Sequence, residues 1–288
     1  VGGWDKQITL FRVDAGGLQP DKVLRGHDGS ISAVAFSEDG TKLASAGFDK
    51  TVRLWDVATG TAKTLSTGGD LTSALVFSVD GTRLYSAGFD FAVRSFDAKS
   101  GRPAEQTLQG HSGAIWGMGL SSDGKRLCTA SQDQTVRIWE LGSGRTQTML
   151  QGHSRAVTDC RFLPDGEHLL SSSEDKTLRL WDLATGKTQG EPLRGHVDRI
   201  TGIAVSRDGL RAVSASEDQT LRLWDLTTLQ SIGPGLRGHV RSISAVGLSP
   251  NSQRAYSVSH DGTLRVWDLA VSSWLALACR LAGRDLNR

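Results

Sequence analysis

Hydrophobic and polar positions along the chain alternate in short runs, and the runs are separated by turn signals. Residues 31–57 show the unit. In "ISAVAFS", Ile31, Ala33 and Ala35 alternate with Val34 and Phe36. "EDG" then supplies a tight hairpin turn, because glycine tolerates positive φ and aspartate bonds back to its own backbone. "TKLASAG" is a second run, "FDK" a second turn, and "TVRLWDV" a third run rich in β-branched and aromatic residues. "ATG" turns again into the more polar "TAKTLST". The pattern predicts four short antiparallel strands in a meander. No segment before residue 270 has a period near 3.6.

The unit repeats. "LWD" or a variant ends at Asp56, Asp97, Glu140, Asp182, Asp225 and Asp268, at separations of 41, 43, 42, 43 and 43 residues. A fixed period in this range signals a repeat architecture, and 288 residues hold roughly seven such units. One four-stranded sheet cannot bury both faces alone, whereas a closed ring of sheets can.

Gly-His pairs stand at Gly26-His27, Gly110-His111, Gly152-His153, Gly195-His196 and Gly238-His239, each histidine 28 residues before a Trp-Asp or Trp-Glu. On these motifs the chain resembles the WD40 β-propeller family over nearly its whole length. The expected fold is an all-β, seven-bladed propeller, with six recognisable repeats and an incomplete N-terminal blade. The resemblance implies that each such histidine bonds the turn aspartate and a Ser or Thr on the second strand, which in turn reaches the Trp. The matching sets are His27, Ser45, Asp49 and Trp55; His111, Thr129, Asp133 and Trp139; His153, Ser171, Asp175 and Trp181; His196, Ser214, Asp218 and Trp224; and His239, Ser257, Asp261 and Trp267.

The third of these sets has the residue types of a hydrolase triad. An enzyme has no use for five copies of a triad, and a fold of similar blades does, since buried polar groups must pair. The expected role is structural. The unit around residues 68–97 keeps Ser86 and Asp90, but Gly68 replaces the histidine and Phe96 the tryptophan. Asp90 then needs another partner or solvent. Arg53, Arg94, Arg137, Arg179, Arg222 and Arg265 recur two residues before the Trp or Phe. They read as strand residues with packed stems rather than as an anion-binding ring.

The two ends differ from the repeat. "VGGWDKQITLFRV" aligns with "SAGFDKTVRLWDV", so the first unit shows its third and fourth strands and the tail of a second. The break in the ring falls one strand earlier than the family's usual closure, and the missing strands are expected from the C-terminus or from residues before Val1. The start without methionine suits a piece of a longer protein. Residues 1–269 are expected to form the propeller and 270–288 a helical extension packed on it. There Trp274, Leu277, Ala278 and Leu281 recur at helical spacing. "WLALACRLAGRDL" is similar to a segment in large bacterial WD40 signalling proteins that carry STAND-type NTPase or Ser/Thr kinase parts. That likeness implies a sensor propeller.

Charge and composition narrow the function further. The net charge is +2, from 33 basic and 31 acidic residues. This leaves no electrostatic footprint for nucleic acid or an anionic membrane. Cys128, Cys160 and Cys279 are few, odd in number and far apart, which argues against a disulfide framework or zinc site and for a reducing, cytoplasmic setting. No metal cluster, phosphate loop or unrepeated acid–base set stands out, so no cofactor is expected.

A fold is not a function. The expected function is a non-catalytic interaction scaffold or sensor, binding a protein, a peptide or upstream domains of its own chain on the top face. An enzyme with a site in the central channel and a purely structural oligomerisation module are the rivals. The residue before each turn aspartate should stand on the top rim: Trp4, Phe48, Phe89, Gln132, Glu174, Glu217 and His260. Aromatics cluster on neighbouring units, and Trp116 extends that side.

Overall fold

A computed structural model describes residues 1–14, 17–65, 68 and 70–270. Strands β1 (Gln7–Asp14) and β2 (Gly17–Arg25) pair antiparallel as a two-stranded sheet. The first full blade, blade I, joins β3 (Ile31–Phe36), β4 (Lys42–Gly47), β5 (Val52–Asp56) and β6 (Ala62–Leu65) in sequence order. Blades II (72–109) and III (115–151) repeat this meander. In blades IV (157–194) and V (200–237) the outermost strand is split into two short pieces along the third. Blade VI (243–268) has three strands among the described residues.

Among the described residues the architecture is therefore an all-β propeller with six blades of three or more strands and one two-stranded sheet. The expected seventh full blade is not seen among the described residues: the N-terminal unit contributes β1 and β2 there, and Gly2 bridges to Ile8. The expected helix over 270–288 lies outside the described residues beyond Ala270, and so does Cys279.

The core lies between blades. Cys128, Ala130, Val136, Ile138 and Leu150 of blade III pack against Val157, Cys160, Phe162, Leu169 and Trp181 of blade IV. Ile8, Leu10 and Leu24 of the two-stranded sheet pack in the same way on Leu43 and Trp55 of blade I. Each strand buries alternate residues against opposite neighbours, which is why the sequence period of two persists although both sheet faces are covered.

Where a neighbour supplies only outer strands, the inner faces stay open. Phe36 of blade I is 52% exposed, against 6% for the equivalent Phe77 and 8% for Phe162. Val266 of blade VI is likewise exposed, whereas its counterparts Ile138 and Leu180 are buried.

One polar contact ties three blades together. Asp159 on the inner strand of blade IV accepts the Ile203 amide of blade V at 3.2 Å and pairs with Arg161 at 2.8 Å. Arg161 Nη1 also donates to the Met118 carbonyl of blade III. Blade III makes room with Gly117, where a Cβ would lie 2.7 Å from Asp159 Cα and Oδ1. Burial raises the Asp159 carboxyl pKa against the pull of Arg161 and the Ile203 and Cys160 amides. Beside them Cys160 is fully buried, and burial together with Cys128 pushes its thiol pKa well up.

Candidate functional site

The repeated polar set assembles in five blades. In blade IV, His153 Nδ1 lies 2.8 Å from Asp175 Oδ2, and His153 Nε2 lies 2.7 Å from Ser171 Oγ. Trp181 Nε1 donates to the same hydroxyl at 2.8 Å. An indole N–H can only donate and an ionised carboxylate can only accept, so the direction is fixed at the two ends. Trp181 donates to Ser171 and His153 Nδ1 to Asp175, and with a neutral imidazole Ser171 donates to His153 Nε2.

The same geometry recurs around His27, His111, His196 and His239, with their Ser or Thr and Trp partners. Three local features place these groups. The histidine sits in the loop entering the blade, the hydroxyl on the second strand, and the aspartate in the turn to the third.

Each aspartate is saturated with donors. Asp175 Oδ2 also takes the Ser154 amide at 3.1 Å, while Oδ1 takes the Thr177 amide and hydroxyl at 3.0 and 2.6 Å. Burial alone would raise these carboxyls, but the donors outweigh it. Asp49 is brought down to about 2 by the Thr51 and Asp28 amides and His27, against its burial. Asp133, Asp175, Asp218 and Asp261 are likewise lowered by their histidine and threonine donors, against burial.

The constellation has the connectivity of a nucleophile, base and orienting acid, but no route to a substrate. Ser171 has no exposed surface, and its oxygen already accepts from the indole. His153 is buried as well. What the arrangement does chemically is tie a loop, a turn and two strands together.

In blade II Gly68 and Phe96 remove both ends of the network. Asp90 there pairs with Arg94 on the neighbouring strand. A side-chain-to-side-chain substitute of this kind was not legible in the spacing. The other arginines of the series lie against their own unit's Gly-His loop. A Cβ on Gly26 would meet Arg53 Nη1 at 2.7 Å, and one on Gly195 would meet Arg222 Nη1 at 2.8 Å.

The rim residues occupy equivalent, pinned positions. The Phe48 amide donates to the Ser30 carbonyl, that of Phe89 to Leu71 and that of Gln132 to Ala114. Glu174, Glu217 and His260 do the same to Ala156, Arg199 and Ser242. The backbone is fixed by the fold, so the side chain is free to vary and to project. Trp4, Phe48 and Phe89 are 78%, 60% and 46% exposed. Ser30 joins two of them, since its hydroxyl donates to the Trp4 carbonyl. Trp4 also meets His260 of blade VI edge-on.

Glu174 and Glu217 differ in kind from these aromatics. Arg199 reaches Glu174 at 3.2 Å and Glu217 at 2.9 Å, so the two carboxylates are neutralised and partly buried rather than presented. Trp116 is half-buried on an inner strand, where Ser73 and Thr201 elsewhere donate to the next blade's carbonyl. It does not share the rim-turn position. Gln132 is exposed.

Three apolar rim residues escape a reading of the sequence alone. Phe91 is exposed in the same turn as Phe89. Val197 and Val240 are about three-quarters exposed, at 74% and 72%, in the loops entering blades V and VI. A signal for the valines exists: other units have Asp28, Ser112 and Ser154 directly after the Gly-His histidine, and these two have valine. His168 pairs with Asp165 at 2.8 Å at the start of a second strand, away from the network.

Comparison with known proteins agrees with this geometry. A family model described as "WD domain, G-beta repeat" matches residues 18–56, 103–140, 144–182, 186–225 and 230–268. The mRNA export factor GLE2 of Chaetomium thermophilum is 42% identical over 62 residues, covering 22% of this chain and 17% of that protein. The ribosome biogenesis protein WDR12 homolog of Brugia malayi is 29% identical over 148 residues, 49% of this chain and 30% of its own length. Coronin-7 of Mus musculus is 32% identical over 146 residues, 49% of this chain and 11% of its own. The matches thus span less than a third of each relative, and these relatives are eukaryotic.

Proposed function

Because the chain belongs to the WD-domain, G-beta repeat family, we propose that it is a non-catalytic interaction module that receives a protein or peptide partner on the top face of its propeller. The observation that carries this reading is the run of exposed apolar side chains around one face: Val197, Val240, Trp4, Phe48, Phe89 and Phe91. Exposed apolar groups gathered on one face mark an interaction site more often than an inert surface. Aromatic anchors are the side chains that carry most interface energy. The rigid backbone beneath them lets them bind with little ordering cost.

The relatives support the class rather than a partner. Their names point to mRNA export and ribosome biogenesis, and the matches cover at most 49% of this chain. An enzymatic reading has no observation in its favour at the five buried sets. The likeness of "WLALACRLAGRDL" to bacterial signalling proteins supports the finer reading of a sensor propeller, and that reading rests on this segment alone.

We also read the two-stranded sheet as the outer half of a seventh blade. Support comes from its contact with blade I through Ile8 and Leu24, and with blade VI through Trp4 and His260.

The test compares interaction partners of the protein with those of Phe48→Ala, Phe89→Ala and a control, Val79→Ala, on an exposed turn at the opposite end of the blades. Partners lost with both phenylalanines and kept with Val79→Ala support the rim. If every partner binds all three variants equally, the rim is not the site.

A further inference from the structure

On the side away from the rim, blades V and VI leave a groove of about 520 Å³. Its apolar lining is Leu210, Leu223, Ile232 and Leu269, with Asp208, Asp225, Arg211 and Thr227 as its polar lining. Leu210 is half-exposed, at a position where other units carry polar Thr41, Thr82, Lys125 or Glu167.

At the junctions of blades I–II, III–IV and IV–V, the next blade's turn between its third and fourth strands packs on the outer part of the blade before it. A Cβ on Gly101 in that turn of blade II would meet Leu65 of blade I at 2.8 Å, and one on Gly186 of blade IV would meet Thr148 of blade III at 3.7 Å. Leu229 of blade V covers Gly190 of blade IV, within 2.5 Å of a Cβ built there. At the last junction the corresponding stretch of chain is the one after Leu269, and Leu269 itself forms a wall of the groove.

We propose that the chain's own segment after Ala270 docks in this groove through the stripe Trp274, Leu277, Ala278 and Leu281. Three observations select this occupant over a separate partner. The chain leaves the described body at the groove wall. The stripe is apolar and matches the apolar walls. The charges are complementary in net sign: residues 271–288 carry Arg280, Arg284 and Arg288 against Asp285, and the groove carries Asp208 and Asp225 against Arg211. Asp208 and Asp225 stay ionised because the Ser206 and Thr227 hydroxyls and nearby amides lower their carboxyl pKa values. Apolar burial then holds the segment, and the arginines set its direction. This inference is independent of the rim, because it concerns the opposite face.

The experiment is hydrogen–deuterium exchange on the full chain, with Leu210→Asp and Ile232→Asp. Leu210 is already half in water, so its replacement leaves the blades folded and serves as the safe variant. Amides of 274–281 are expected to exchange at least about tenfold slower than an unprotected peptide, and to speed up about fivefold or more in both variants while the blade amides stay unchanged. Exchange at the unprotected rate in the parent protein overturns the proposal. So does protection that neither substitution reduces, since the segment would then be held elsewhere.

Discussion

The indole of Trp4 meets the imidazole of His260 edge-on, with ring centroids 6.0 Å apart and planes at 69°. These residues are separated by almost the whole described chain, yet they are neighbours on the rim. The contact joins the start of the chain to blade VI.

Removing this contact should loosen the seam without unfolding the blades. His260→Ala is expected to cost at most about 1 kcal/mol, because both rings are largely in water. Amide exchange at residues 3–8 should accelerate several-fold, while exchange in blades III and IV stays unchanged. Equal acceleration everywhere would mean that the seam is not a separate unit.

His153→Ala should destabilise by roughly 2–3 kcal/mol, since it strips Asp175 and Ser171 of a buried partner. Gly68, in the blade without the network, gives a different reason for loss. Its φ is +84°, and a Cβ there would meet Arg94 at 3.2 Å. Gly68→Ala should therefore cost about 1 kcal/mol through backbone strain alone. Chemical denaturation of both variants checks this, and equal losses would contradict the role given to the histidine.

Asp159→Ala should cost about 1–2 kcal/mol, because it removes the Ile203 amide's acceptor and the anion of Arg161, whose partly exposed guanidinium water can still solvate. Replacing both residues, as Asp159→Ala with Arg161→Met, should recover part of the loss. A double variant no more stable than the single one would show that the pair's charges are not coupled.

Acid should unfold the protein early. The network aspartates have lowered folded values, Asp49 at about 2. Their stabilisation is complete above the ordinary carboxylate value near 3.8 and is lost as pH falls toward the folded values, because the unfolded chain binds protons first. The urea midpoint should change little between about pH 7 and 5 from these groups and drop steeply below about pH 4. Asp159 has the opposite sign: its raised value favours the protonated fold, so its own contribution weakens as pH rises from that range. A midpoint unchanged down to about pH 3 would contradict the network's charge state.

The repeat, the strand and turn order within each unit, and the five buried sets are all legible in the chain alone. Each of them depends on contacts inside one unit. His153 and Asp175 stand 22 residues apart, as do their counterparts in the other four sets, because a fixed meander of short strands joins them. Such spacing survives in the chain as a period. Phe48 and Phe89 are recognisable as turn-tip residues for the same reason, since the turn aspartate marks the place.

Contacts between units emerge only once the blades are packed. Arg199 neutralises Glu174 and Glu217, and Asp159 joins three inner strands. Inside blade II, Arg94 stands in for a missing histidine. Packing of the blades brings Trp4 to His260, and the two strands at the start of the chain leave Phe36 bare. The contacts between blades have no fixed separation along the chain. They depend on how sheets pack face to face around the axis, and packing is set by side-chain shape and burial, which a one-dimensional period does not encode.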